Sequence, residues 1–272
     1  MNGLIAHVLV ALSGLVAAWA ITVPLHRFKE LRPLTPRDVA AEVGTPDDPG
    51  PVIRASYRHA RCTGCRRVLG WRDVAPVLSW VRGCPHCGTP LPGTVPLVQV
   101  ALPAAMVLTV ARLDGAWVAL PYLWLVVVLA AISIIDLRIW LIPWWMPWVG
   151  AGVGLGLLAA ASLASGDHRR LLWAAAGGVG AFVLFFVLWI AAPAKLGFGD
   201  VRLALLLGMF TAWIHPALPV YGLLFGSVLG LIGGGLALLA RRDSRFPFGP
   251  ALALGALAAV WWNEPILRGL TG

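Results

Sequence analysis

Long apolar runs separated by short polar segments make up most of the chain. Eight runs have roughly the 20 residues that a membrane-crossing helix needs, and their approximate cores are residues 3–25, 95–112, 116–135, 143–165, 170–193, 201–215, 216–240 and 249–268. The sixth run is short. We place its boundary with the seventh at His215–Pro216, because proline disfavours a helical conformation in the residue before it. The pattern predicts an all-α polytopic membrane protein with about eight transmembrane helices.

The composition agrees with this class of protein. Hydrophobic residues make up 59% of the chain and charged residues only 12%, whereas a soluble domain carries roughly 25% charged residues. Ala18–Trp19–Ala20 resembles a signal-peptide cleavage site, but no Lys or Arg precedes the first apolar run. Secretory signals carry basic residues there, so we expect the first run to be retained as a helix.

One long polar segment, residues 26–94, interrupts the apolar pattern. Its first half is rich in proline and in charges of both signs, which predicts an extended linker. Its second half, 58–94, contains all the cysteines and is too small for a large core of its own. We therefore predict a first helix, a linker with a small cysteine domain, and a membrane domain, over residues 1–25, 26–94 and 95–272.

Basic residues are distributed unevenly between the two sides of this arrangement. With the N-terminus outside, 17 of the 21 Lys and Arg residues fall on the cytoplasmic side. Cytoplasmic loops of membrane proteins carry such an excess, so we expect both termini to lie outside. The same asymmetry explains the net charge of +9 without a nucleic-acid partner, and we predict none.

The cysteines form two pairs with the spacing of a metal site. Cys62 and Cys65 form one C-x2-C pair, and Cys84 and Cys87 form the other. Two such pairs are typical of a structural zinc site with four thiolate ligands. The alternatives are disulfides or four unrelated thiols. A cytoplasmic position favours zinc, because thiols stay reduced there.

Two aspartates end or begin apolar runs on the predicted cytoplasmic side, Asp136 and Asp200. Ionisable groups at membrane spans are costly and therefore functional candidates. Two structural alternatives remain: Asp200 could cap the start of a helix, and Asp136 could be a polar helix end paired with Arg138. Gly197 and Gly199 would permit close backbone approach beside Asp200, and Pro143 would suit the first turn of a new helix.

If the two carboxylates meet, like-charge repulsion would leave them sharing one proton. The ionised member can then take a proton from a water molecule that attacks a carbonyl group, and the protonated member can assist the leaving amine. This chemistry predicts an aspartyl peptidase.

With these residues established, the chain resembles the type IV prepilin peptidases, bacterial inner-membrane aspartic proteases with a GxGD signature. The resemblance covers nearly the whole chain and rests on motifs in a specific order: Leu25-His-Arg27, Cys62-Thr-Gly-Cys65, Trp71–Trp80, Cys84-Pro-His-Cys87-Gly88, Pro96-Leu-Val-Gln99, Asp136–Pro143, Gly197-Phe-Gly-Asp200-Val-Arg202 and Pro247-Phe-Gly249-Pro250. It implies that Asp136 and Asp200 are catalytic and that the other motif positions support them.

The resemblance also implies the substrate and the setting. Such enzymes act in the bacterial inner membrane and cut the basic leader from prepilin or pseudopilin precursors, on the cytoplasmic side, after a glycine. Many members with the cysteine domain also methylate the new N-terminus with S-adenosylmethionine. The chain departs from the family pattern at Gln99, where glutamate is usual, and at Arg202, which replaces a frequent lysine.

Two other functions compete with a peptidase. A proton-coupled transporter would use Asp136 and Asp200 as a proton relay, and a zinc-bearing assembly factor of a pilus or secretion machine would need no catalysis. A transporter is expected to place such acids near the middle of the membrane, whereas both aspartates map to one edge.

Overall fold

A computed structural model describes residues 2–25, 62, 64–65, 67, 69–76, 78–91, 93–113, 115–191, 196–239 and 247–271. The predicted linker of residues 26–57 lies outside the described residues. In the part of the chain that is described, every regular element is a helix, so the predicted all-α class is confirmed.

The helices follow the apolar runs closely. They are α1 (Asn2–Leu25), a 3₁₀ turn (Arg72–Val74), α2 (Leu78–Arg82), α3 (Thr94–Arg112), α4 (Ala116–Ile139), α5 (Trp145–Ser165), α6 (Arg169–Ala191), α7 (Phe198–Ile214), α8 (Leu218–Leu239), α9 (Gly249–Trp261) and α10 (Asn263–Thr271). Six of the described helices, α1, α3, α4, α5, α6 and α8, are long and apolar enough to cross a membrane. The protein is therefore a multi-pass membrane protein. Helices α7, with 17 residues, and α9, with 13, are shorter.

Two helix boundaries differ from the sequence prediction, and a third agrees with it. Helix α4 continues one turn past residue 135, to Ile139, so Asp136 lies inside the helix. The predicted run 249–268 is two helices that meet at Trp262, because Pro265 has no N–H group to continue the helical hydrogen bonds. The break at His215–Pro216 is confirmed, since α7 ends at Ile214 and α8 begins at Leu218.

The chain divides into two compact units, Met1–Ala104 and Ala105–Gly272. In the first unit, the Trp19 indole of α1 packs edge-on against Trp71, with ring centroids 6.3 Å apart. The indole nitrogen of Trp19 also donates a 2.7 Å hydrogen bond to the Trp71 carbonyl. These contacts join the first helix to the segment that carries the cysteines.

In the second unit, α7 is the central helix. It packs against α5, α6, α8 and α9, and twelve of its residues are buried. A helix enclosed by other helices meets little lipid, so it can carry Asp200 and Arg202 within its first two turns. The surrounding helices expose apolar side chains such as Leu184, Val187 and Leu231, as lipid-facing surfaces do.

Glycines bring α6 and α7 into close contact. A Cβ added at Gly177 of α6 would overlap the Cβ of Ala212 and lie 2.8 Å from the carbonyl oxygen of Gly208. A Cβ added at Gly208 would in turn overlap the backbone of Gly177. Small residues at such crossings let two helix backbones approach in lipid, so this pair sets the distance between α6 and α7.

We predict that Gly177→Ala destabilises the protein by about 1–3 kcal/mol, because the added methyl group overpacks the α6–α7 contact. Thermal unfolding in detergent measures the effect. Gly180→Ala is the matched control, since a Cβ at Gly180 on the same helix meets no atom within 4 Å. Equal melting temperatures for the two variants would contradict the proposed role of this contact.

Candidate functional site

Asp136 lies in the last turn of α4 and is buried, with 5% of its surface exposed. Its Oδ2 atom accepts a 2.9 Å hydrogen bond from the backbone N–H of Gly249, the first residue of α9. Just beyond, Trp140 ends the helix in the left-handed conformation, with φ of 53° and ψ of 36°. The Trp140 N–H closes the last turn by donating to the Asp136 carbonyl at 2.8 Å.

Asp200 is the third residue of α7 and is also buried, at 9% exposed. It is not the helix cap considered from the sequence, because Gly197 occupies that position. The carboxylate is directed back toward the start of the helix, where a Cβ added at Gly197 would lie 3.3 Å from Oδ2. The positive end of the helix dipole favours an acidic side chain at such a position.

The structure brings the two aspartates together. Both carboxylates are buried, one at the end of α4 and the other at the start of α7, and they repel each other when both are ionised. Ile142, which is 7% exposed, packs against Gly199, the neighbour of Asp200, and against Gly249, whose amide donates to Asp136. A Cβ added at Gly199 would lie 2.9 Å from the Ile142 Cβ, and one added at Gly249 would lie 3.3 Å from the Ile142 Cδ1.

The other motif residues from the sequence lie around this pair. Gly197 is the residue just before α7, and Gly199 lies in the first turn of that helix. Pro247 and Pro250 lie on either side of Gly249 at the start of α9. Pro143 is not in a first helical turn as predicted, because α5 begins two residues later, at Trp145. Its carbonyl instead accepts the N–H of Met146 at 3.1 Å.

The four cysteines also meet, in the first unit. Their sulfur atoms all lie within 4.8 Å of one another, and two pairs, Cys62–Cys87 and Cys65–Cys84, are 3.6 and 3.8 Å apart. Four thiolates around one ion at a Zn–S distance of about 2.3 Å are separated by about 3.8 Å. The cluster therefore fits a tetrahedral metal ion, and the structure joins none of these four thiols in a disulfide.

The surroundings of the four sulfurs differ. Burial raises the pKa of the Cys84 thiol to about 11, whereas hydrogen bonding by Thr89 lowers the pKa of the exposed Cys87 to about 6. Cys62 and Cys84 form a small apolar core with Leu69 and Val74. The cluster is thus half embedded in the segment and half open to solvent.

Gln99 has a defined role in the same unit. It is 1% exposed, and its Nε2 donates to the Val74 carbonyl at 2.9 Å. Its Oε1 accepts a 2.5 Å hydrogen bond from the Trp80 indole. A carboxylate could accept the hydrogen bond from Trp80 but could not donate one to the Val74 carbonyl. An amide therefore suits this position.

Sequence reasoning did not identify the backbone N–H of Gly249 as a partner of Asp136, or Ile142 as a shared neighbour. The sequence includes Gly249 only as part of the Pro247–Pro250 motif of the family resemblance. No residue-type signal could reveal the hydrogen bond, because the donor is a main-chain group 113 residues from its acceptor.

Two protein-family models match this chain. The type IV leader peptidase family matches residues 123–235, and the bacterial peptidase A24 N-terminal domain matches residues 14–113. The prepilin leader peptidase/N-methyltransferase of Aeromonas hydrophila is 30% identical over 96% of this chain and 92% of its own length. Proteins of the same name from Burkholderia pseudomallei strain K96243 and Stutzerimonas stutzeri are 28% and 29% identical, over 95% and 96% of this chain and 86% and 93% of their own. No solved structure gave a significant match.

The fold and the site define a polytopic helical membrane protein with a buried pair of acids and a cluster of four thiols. The chain matches the type IV leader peptidase family and covers most of the length of these relatives, so it belongs to that family.

We predict that replacing Cys62 and Cys65 together by serine removes bound metal from the purified protein, because two of the four ligands are lost. Elemental analysis should give about one metal ion per wild-type chain and almost none in the variant. Ser79→Ala is a control in the same segment, because Ser79 is buried there but is not one of the four clustered residues. Unchanged metal content in the double serine variant would rule out this site.

Proposed function

We propose that this protein is a membrane aspartic endopeptidase that removes the leader peptide from type IV prepilin-like precursors, on the cytoplasmic side and after a glycine. The observation that carries the proposal is the buried pair Asp136 and Asp200 in a member of the type IV leader peptidase family. Cleavage after glycine and the prepilin substrate follow from the family resemblance and from the names of the relatives.

The pair supports hydrolysis by general acid–base catalysis. Two carboxylates that repel each other in apolar surroundings share one proton. The ionised aspartate takes a proton from water as the water oxygen bonds to the scissile carbonyl carbon. The protonated aspartate hydrogen-bonds to the carbonyl oxygen and then protonates the leaving nitrogen as the C–N bond breaks.

We place this pair at the cytoplasmic edge of the membrane, with eight crossings and both termini outside. In this topology α7 and α9 also cross, and 17 of 21 Lys and Arg residues are cytoplasmic. The Gly249–Asp136 hydrogen bond supports the assignment, since it requires the end of α4 and the start of α9 to lie on one side. Alternating crossings put them there, together with the start of α7.

We further propose that zinc occupies the cysteine cluster as a structural ion, held by Cys62, Cys65, Cys84 and Cys87. Four thiolates leave no open position for a substrate, which is the arrangement of structural rather than catalytic zinc. The metal then stabilises a segment whose apolar core is small.

A second activity, N-methylation of the newly exposed terminus, is proposed from the relatives' names. S-adenosylmethionine supplies the methyl group: the terminal amine bonds to the methyl carbon, the carbon–sulfur bond breaks, and the amine releases a proton. Mass spectrometry of the cleaved product, with and without S-adenosylmethionine, tests this activity as a gain of one methyl mass.

The transporter and assembly-factor alternatives have less support. Both acids lie at helix ends, Asp136 in the last turn of α4 and Asp200 in the first turn of α7, where a relay across the membrane would need further groups. Family membership also favours proteolysis. An assembly factor would retain its role when either carboxylate is removed.

We predict that Asp136→Asn and Asp200→Asn each lower the rate of leader cleavage at least about 100-fold, because a carboxamide cannot exchange the shared proton. The assay uses purified protein in detergent with a precursor that carries a basic leader, a glycine and an apolar helix. Mass spectrometry of the product's N-terminus measures cleavage.

Asp167→Asn is the matched control for these variants. Asp167 is 42% exposed and forms a surface ion pair with Arg170 at 3.0 Å, so the same chemical change should leave cleavage intact. Near-native cleavage by Asp136→Asn would exclude the proposed pair.

A further inference from the structure

The Gly249 backbone amide is the only hydrogen-bond donor that the described residues show on the Asp136 carboxylate. The bond is buried and joins the last turn of α4 to the first residue of α9. A hydrogen bond to a charged group is stronger than one between neutral groups, so it can select one orientation of a short side chain.

There is no room for a side chain at position 249. A Cβ added there would lie 2.8 Å from Asp136 Oδ2 and 3.3 Å from Ile142 Cδ1. The first distance is shorter than real contacts of this type, so the carboxylate would have to move. Glycine is therefore required by close approach to Asp136, because the backbone here has no positive φ angle that would itself call for glycine.

Helix α8 holds the start of α9 in place. A Cβ added at Gly226 of α8 would lie 2.7 Å from the Cα of Leu252, three residues after Gly249. The ring of Phe248 lies so close to Gly230 of α8 that a Cβ there would overlap it. The position of the Gly249 amide is thus set by a tight helix–helix contact.

Ile142 connects Gly249 to the start of α7, the helix that carries the second aspartate. Its side chain lies against Gly249 on one side and against Gly199, the neighbour of Asp200, on the other. A shift at position 249 would therefore be passed to α7 through Ile142 as well as directly to Asp136.

From these contacts we infer that Gly249 is a positioning residue: its amide and its lack of a side chain orient the Asp136 carboxylate toward Asp200, with Ile142 setting the spacing. The inference rests on the proposed peptidase function for its effect on catalysis, although the positioning itself does not. Misplacing a reacting group by a fraction of an ångström to 1 Å can lower a rate by about 10- to 100-fold.

The first test is kinetic. Gly249→Ala should lower kcat by about 10- to 100-fold with little change in KM, because the added methyl group displaces the Asp136 carboxylate and leaves the substrate contacts in place. Adding Ile142→Val, which removes Cδ1, should recover part of kcat by giving the new methyl group room. Gly156→Ala is the control, because a Cβ at Gly156 meets no atom within 4 Å. Wild-type kcat in Gly249→Ala, or the same loss without recovery in the double variant, would overturn the inference.

The second test does not depend on proteolysis. Dicyclohexylcarbodiimide reacts with protonated carboxyl groups in apolar surroundings, and mass spectrometry can compare labelling of Asp136 with that of Asp200 in each variant. Gly249→Ala should increase the ratio of Asp136 to Asp200 labelling several-fold, because the added methyl group displaces the Asp136 carboxylate from the backbone amide of residue 249. An unchanged ratio would reject the positioning role. If the wild-type protein cleaves no precursor, the proposed function fails, and this ratio still decides the role of Gly249.

Discussion

Burial of two carboxylates beside each other is the constraint on which the second unit depends. Removing an ionised group from water costs several kcal/mol unless hydrogen bonds or partners compensate. Asp136 obtains such a bond from the Gly249 amide, and Asp200 lies at the positive end of α7. Both forms of compensation come from helix starts, so the pair exists only where α4 ends and α7 and α9 begin.

Those helix ends can meet because glycines allow the helices to pack closely. Gly177 and Gly208 bring α6 against α7, and Gly226 and Gly255 bring α8 against α9. In lipid there is no hydrophobic force between helices, so close van der Waals packing takes its place. The many glycines of the apolar runs therefore determine the distances that the acidic pair requires, although none of those four touches the carboxylates.

The cysteine segment is a short polar stretch with a small core, so it is stabilised in a different way from the membrane helices. Its four sulfurs are already in the arrangement that a tetrahedral ion needs. Hydrogen bonds from Trp19 on α1 and from Gln99 on α3 to carbonyl groups of the segment also hold it in place. Gln99 shows that a departure from a family pattern can be a local adaptation, since only a group that both donates and accepts satisfies its two neighbours.

The sequence by itself determined the helical membrane class, nearly all helix positions and the six side chains that form the acidic pair and the sulfur cluster. Apolar run length, C-x2-C spacing and rare acids at span ends are local signals, and each reports on its own stretch of chain. The sequence could not determine that α4 continues past Asp136, that Trp262 divides the last run, or that Pro143 precedes its helix. Only the tertiary structure decided that Gly249 donates to Asp136 and that Ile142 lies between Gly199 and Gly249. These contacts join main-chain atoms and ordinary apolar groups far apart in sequence, where residue type carries no information about the partner.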